Sequence, residues 1–190
     1  SPGGDQLIDA PLYVDFFKDT VFVGGGPLGD MGIVSYSAPS NVLDWTAASG
    51  GGQLVPGFPI HGMRPWRNAN YIFGETKISK ANPDVAAGFL LEPVTTDIGC
   101  MAPDSILEVA SDIVFLSSDG IHTLAGTDMI GDTNLSLLSQ SIQNTITTAI
   151  ETYDIHQLVG LTIRGKTQFR YFLSDPAINA VDAYGLIGAV

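Results

Sequence analysis

Basic residues are scarce in this chain and missing from its middle. Lys and Arg number 8 against 20 Asp and Glu, giving a formal net charge of −12. From Ala81 to Ile163 there is no Lys or Arg, yet that stretch holds Asp84, Glu92, Asp97, Asp104, Glu108, Asp112, Asp119, Asp128, Asp132, Glu151 and Asp154. Proteins grip phosphate backbones by letting Lys and Arg displace counterions, so a face built from this stretch repels nucleic acid. Repulsion excludes grip but permits passage: a wall past which DNA slides without sticking carries this sign. The same acids also serve simply to keep an apolar-rich surface in solution.

Cysteine is nearly absent. Cys100 stands alone, which excludes an intrachain disulfide and a multi-thiolate zinc site. It lies in TDIGCMAP with no His or cation beside it in sequence to lower its pKa, so a buried, inert thiol is expected. No apolar run approaches the ~20 residues a membrane helix needs, and no membrane span is expected. The opening SPGGDQLIDA has neither Met nor a signal-peptide layout, and reads as the start of a processed product or of an ordered piece of a longer chain.

Catalytic and ligand motifs are lacking as well. There is no Gly-x-Ser-x-Gly phrase to form a nucleophile elbow. GGGPLGD, Gly24 to Asp30, has neither the Lys nor the Ser/Thr of a phosphate loop and precedes a strand, so it reads as a hairpin tip. His61, His122 and His156 fall on separate elements at no metal-ligand spacing and read as structural. Asp128, Asp132 and Asn134 in DMIGDTN offer oxygens but not the EF-hand spacing for a cation. No catalytic residue, cofactor or metal is assigned, and the chain is not expected to be an enzyme.

What the chain does have is punctuation and β-pattern. Its 22 Gly and 11 Pro suit many short strands joined by tight turns. A hairpin phrase recurs four times: DTVFVGGGPLGDMGIVSYS from Asp19, NYIFGETKIS from Asn70, DIVFLSSDGIHTL from Asp112, and TQFRYFLSD with AINAVDAYGLI from Thr167. Each opens with alternating β-branched and aromatic residues, breaks at Gly, Asp, Asn or Pro, and resumes with Ile, Val or Leu. The copies start roughly 40 to 55 residues apart, near the period of propeller blades. Further strands are expected at LYVDFF from Leu12 and at PIHGMRPW and GFLLEPV, with KANPDVAAG as a turn. In DIVFLSS, apolar residues on both faces predict a strand between two layers. The stretch APSNVLDWTAASGGGQLVPG is too long for a hairpin turn and predicts a surface excursion.

One helix interrupts the strands. Leu135, Leu138, Ile142, Ile146, Ala149, Ile150 and Tyr153 recur at spacings of three and four, predicting an amphipathic helix over about 135–153. Asp132, Thr133 or Asn134 would cap it. Its other face, with Ser139, Gln140, Gln143, Asn144, Thr147 and Thr148, is polar and almost uncharged, suiting solvent or a partner subunit. The expected class is therefore all-β: a β-propeller-like array of antiparallel hairpins, an incomplete propeller among the possibilities, with one inserted helix. Residues 1–11 form an N-terminal arm and 12–190 a single domain.

Several phrases resemble the β-propeller tail nozzle and tail stabilisation proteins of short-tailed bacteriophages. Ile72, Phe73, Glu75 and Ile78 match one phrase of that family. Asp97, Ile98, Gly99, Cys100, Ala102, Pro103, Ser105 and Ile106 match a second, and Phe115, Leu116, Ser117, Asp119, Gly120 and Ile121 a third. SYSAPSNVLDW, ending at Trp45, is similar to the family's strand leading to a Trp, and the likeness runs from about Tyr13 to Gly185. It implies a structural virion protein of the phage tail, made in the bacterial host cytoplasm. Its partners would be copies of itself in a ring and other tail, adaptor or portal proteins, with DNA passing unbound. It implies no catalytic residue.

Members of that family are several times longer, and propellers close with 4 to 8 four-stranded blades, more than the about a dozen strands seen here. Closure would then need further chain or neighbouring copies. Asp104, Glu108, Asp112 and Asp119 become candidates to face a lumen. The alternative is a propeller or lectin-like module binding host-surface glycans, with Trp45 and the RPWR cluster of Arg64, Trp66 and Arg67 as contacts.

Overall fold

A computed structural model of the chain describes residues 6–86, 88–125, 138, 142–174 and 183–189. The chain divides into two compact units, Ser1–Val94 and Thr95–Val190. Each contains two antiparallel sheets, and in every sheet the strands follow one another in chain order.

In the first unit, one sheet is β1 (Tyr13–Phe17), β2 (Thr20–Gly24), β3 (Val34–Tyr36) and β4 (Gly52–Leu54). The other is β5 (Gly62–Trp66), β6 (Ala69–Phe73), β7 (Ile78–Asp84) and β8 (Gly88–Thr95). Lys18 and Asp19, both at positive φ, make the two-residue turn that pairs Phe17 with Thr20, a backbone whose twist matches the flanking strands. Alternation then aims Phe17, Phe22, Val34, Tyr36 and Leu54 to one side, where they pack with Met63, Ile72 and Ala81 of the second sheet. Phe89 on β8 meets Phe22 and Tyr36 edge-on, with ring centroids 4.8 and 5.1 Å apart. Edge-to-face packing of this kind is one of the geometries that aromatic quadrupoles prefer.

In the second unit, β9 (Leu107–Val109), β10 (Asp112–Ser117) and β11 (Gly120–Thr123) form one sheet. The helix α1 (Gln143–Thr152) precedes a second sheet of β12 (Asp154–Ile163), β13 (Gln168–Ser174) and β14 (Ala183–Ala189). The core lies between the sheets and α1: Val109, Val114, Leu116 and Ile121 against Leu158, Phe169, Tyr171, Leu173 and Leu186, with Ile146 from the helix. On β10, Ile113, Val114, Phe115 and Leu116 are all fully buried, so that strand is covered on both faces, as its sequence implies. β6 is buried throughout as well.

The described strands of all four recurring phrases pair antiparallel, β2 with β3, β6 with β7, β10 with β11 and β13 with β14, while residues 175–182 of the fourth lie outside the described residues. Three expectations change. KANPDVAAG is not a turn from Lys80, because β7 continues to Asp84. Asn82 reaches across to Glu92, Nδ2 to Oε2 2.7 Å, and Pro83 lies past the last registered β6 pair, Asn70–Ala81, where a missing N–H costs little. The long excursion returns as β4, which pairs with β3. The described helix is Gln143–Thr152, shorter than the expected span: Ile142 has non-helical dihedrals, Leu138 is in a turn with its N–H bonded to Ile121 O, and residues 135–137 and 139–141, with the proposed caps at 132–134, lie outside the described residues. Ile146 and Ala149 are buried and Ile150 and Tyr153 pack on the core, so the apolar stripe is used where the helix exists.

The fold is thus mostly β, with four antiparallel sheets and one helix among the described residues. Among the described residues, no sheet closes on itself.

Candidate functional site

Asp104 lies in the 3-10 turn Pro103–Ser105 and Glu108 on β9, both exposed. The Asp104 carbonyl crowds Gly160 on β12, and the Glu108 carbonyl accepts a hydrogen bond from Thr162 on the same strand, 3.1 Å. These two acids therefore stand along one strand, with Arg164 lining the same shallow hollow as Glu108. Asp112 and Asp119 sit apart from each other, at opposite ends of the β10–β11 hairpin. At about 3.3 Å per residue, that hairpin separates them by roughly 20 Å.

The chemistry of the second pair is local. Asp112 Oδ1 accepts the N–H groups of Ile113 at 2.7 Å and Ala125 at 2.9 Å, so this carboxylate ties the start of β10 to the end of β11. Asp119 is exposed and accepts from His122 Nε2 at 2.7 Å. His122 is itself buried and stacks on Phe115, while its Nδ1 has no partner. The two residues are three apart in sequence, but only the hairpin register aims the imidazole inward.

The phrase DIGCMAPDSI folds as a hydrogen-bonded knot. Cys100 donates to Ala102 O, 3.0 Å, and Ser105 Oγ donates to the same carbonyl, 2.6 Å. Ser105 Oγ accepts the N–H of Leu116, and the Ser105 carbonyl accepts the buried Tyr171 hydroxyl, 2.6 Å. One serine thus joins β10 to β13. Burial pushes the Cys100 thiol up to about 12, so it stays protonated and unreactive at neutral pH. Burial raises Tyr171 too, well above the usual phenol range.

In RPWR, the elements separate the parts. Arg64 is exposed on β5, Trp66 is buried at its end, and Arg67 follows in a tight turn at positive φ. Arg67 stacks on Trp66 at 3.9 Å from the ring centroid, and Tyr71 meets the indole edge-on at 5.6 Å. A sugar would need that ring open, so the stacking surface is already used within the chain. Trp45 is half-buried and its carbonyl accepts the Gln6 N–H, 2.9 Å, tying the excursion to the arm. The arm is further held by Gln53 Nε2 and Ser35 Oγ, both donating to Gln6 O.

Register also reveals neighbours that sequence spacing hides. Arg64 pairs with Tyr71, and Tyr71 with Lys80, so Lys80, sixteen residues downstream, stands in the same row as Arg64, which RPWR alone does not suggest. Asp15 on β1 faces Arg64 electrostatically: burial raises its carboxyl, while the Phe16 N–H and the Arg64 charge draw it down. Among the described residues, no group of three or more His, Cys, Asp or Glu is placed to hold a metal ion. No described helix is long and apolar enough to cross a membrane. No protein-family model matches the chain, and no curated protein matches it in sequence.

Proposed function

We propose that this chain is a structural virion protein of a bacteriophage tail, a propeller-like set of blades forming part of a ring or nozzle through which the genome passes. The observation that carries the reading is repeated in both units. The first strand of one sheet lies beside the first strand of the next, β1 by β5 and β9 by β12, and the remaining strands follow in chain order. Blades around a propeller axis are laid out in this way.

The phrases that resemble the tail family support the same reading through their roles. IFGETKI is the β6–β7 hairpin, FLSSDGI is the β10–β11 hairpin, and DIGCMAPDSI is the knot under β10. All three hold the scaffold. The acidic stretch from Ala81 to Ile163 suits a wall that DNA passes without specific binding. Partners are copies of the chain and neighbouring tail, adaptor or portal proteins.

Quantitative mass spectrometry of purified virions from the phage encoding this chain tests the reading. The expected result is a fixed, multiple copy number per particle, with antibody labelling at the tail. Particles that lack the chain overturn it.

A further inference from the structure

Among the described residues, each sheet of the second unit has three strands, one fewer than each sheet of the first. The last strand, β14, pairs with β13 through all seven residues from Ala183 to Ala189, without a shift in register. Among the described residues no strand lies along its other edge, and Gly185, Ile187 and Ala189 are exposed. An open edge offers outward N–H and C=O groups to any extended chain, and proteins guard it with charge, proline, a bulge or a short strand. The last strands of the other three sheets are guarded. β4 is only three residues long, β8 carries Glu92 and Pro93, and the Ile121 carbonyl of β11 accepts the Leu138 N–H. β14 reads AYGLIGA, with no charge, no proline and no bulge.

A groove of about 210 Å³ adjoins this strand. Leu186 to Ala189 of β14 line it together with Phe169, Ile121, Leu138 and Ile142, and none of these residues is charged. Leu138 and Ile142 are 37% and 44% exposed, so the groove presents apolar surface to solvent. A Cβ on Gly188 would strike the Phe169 ring, and the lack of one leaves bare backbone beside that ring. Edge and groove call for one kind of occupant. An unguarded edge bonds extended backbone, and a groove beside it takes the side chains that point to one face, which in a strand are every second residue. A charged side chain would find no counter-charge there and would lose its hydration.

We propose that β14 accepts a strand from another protein: an uncharged, extended segment that pairs with the open edge and sets apolar side chains, at alternate positions, into the groove. The added strand makes the last sheet four-stranded, like those of the first unit. Backbone bonds supply the affinity and the groove supplies the sequence preference, the division of labour found in strand addition generally. The inference goes beyond the tail reading and does not depend on it.

Fluorescence anisotropy of labelled heptapeptides with the full chain tests it. In one set Val, Ile or Leu alternates with Ser; in the control set the same residues are grouped into one apolar block. At least one alternating peptide is expected to bind about tenfold more tightly than its control. Methylating the peptide nitrogens along one edge of the bound strand removes its ladder donors and should abolish binding, whereas methylation along the other edge should be tolerated. The proposal is overturned by no binding from any peptide, by equal binding of alternating and block peptides, or by equal tolerance of methylation on both edges.

Ile142→Asp probes the groove and spares the helix. Ile142 is the N-cap of α1, where Asp is favoured, so thermal stability should hold while the new charge lowers peptide affinity about tenfold. Unchanged affinity would take the groove out of the site and overturn the proposal. Hydrogen exchange in the isolated chain separates the other occupants. The β14 amides that do not bond to β13 are expected to exchange quickly and to slow when the alternating peptide is added. Amides already slow in the monomer mean that the chain covers its own edge, and amides slow only where sedimentation velocity shows dimers mean that a second copy does. Either result overturns the partner strand.

Discussion

Ser105 has three jobs that depend on atoms far apart in sequence. It donates to Ala102, accepts from Leu116, and offers its carbonyl to Tyr171. Tyr171 is fully buried, so its hydroxyl has no water to fall back on. Tyr171→Phe is expected to lower stability by about 1–3 kcal/mol, read by urea unfolding. An unchanged midpoint would show that the knot contributes nothing. Asp15 behaves oppositely. Burial raises its carboxyl pKa in the folded chain, so the folded state binds the proton more tightly than the unfolded one. Stability therefore falls as pH rises through the folded pKa, and Asp15→Asn should be more stable than wild type at neutral pH. The gain should shrink as pH falls and vanish below the ordinary carboxylate range, where both chains are neutral at this site. Thermal melts from pH 3 to 8 check the sign, and a gain that persists at pH 3 would refute the cause. Neither residue's role was legible in sequence: TDIGCMAP suggested only a buried thiol, and Asp15 looked like any polar residue alternating along a strand.

At the scale of elements, the hairpins were the most readable feature. Alternating apolar residues and Gly or Asp turns act over a few positions, and sequence carries that information in full. The β-strand β12 was missed because its neighbours along the chain do not alternate cleanly, and it is held by contacts with distant segments. Gly160 shows this. A Cβ there would run into the Asp104 carbonyl oxygen and press on Leu107 and Tyr171. The obstacle includes rigid backbone, so Gly160→Ala should shift β12 and cost about 1–3 kcal/mol. Circular dichroism melting measures it, and a neutral result would mean that the 3-10 turn yields freely. The helix was half legible: its apolar stripe was right from Ile146 to Tyr153, but its start depended on backbone at Ile142 that periodicity does not encode.

For the whole molecule, the charge pattern and the strand order argue together. Asp104 and Glu108 are exposed beside β12, whereas Asp112 and Asp119 hold the β10–β11 hairpin. A test of a repelling wall should therefore use Asp104→Lys with Glu108→Lys and leave the other two intact. Within the tail reading, this pair is expected to slow genome release severalfold while particles still assemble, measured by DNA ejection kinetics. Unchanged kinetics would remove the lumen role from these acids. The RPWR cluster moved the other way: Arg67 lies on Trp66, so the indole that suggested a glycan platform already has its cation. By itself, the sequence determined the β class, the four hairpins, the doubly buried β10 and the acidic, cation-free middle, because these follow from local alternation, turn chemistry and composition. Only the tertiary structure decided which acids are structural, which aromatic faces are occupied, how Ser105 joins two sheets and which sheet edge stays open. Those outcomes depend on strand register and on contacts between segments distant in the chain, which no local pattern specifies.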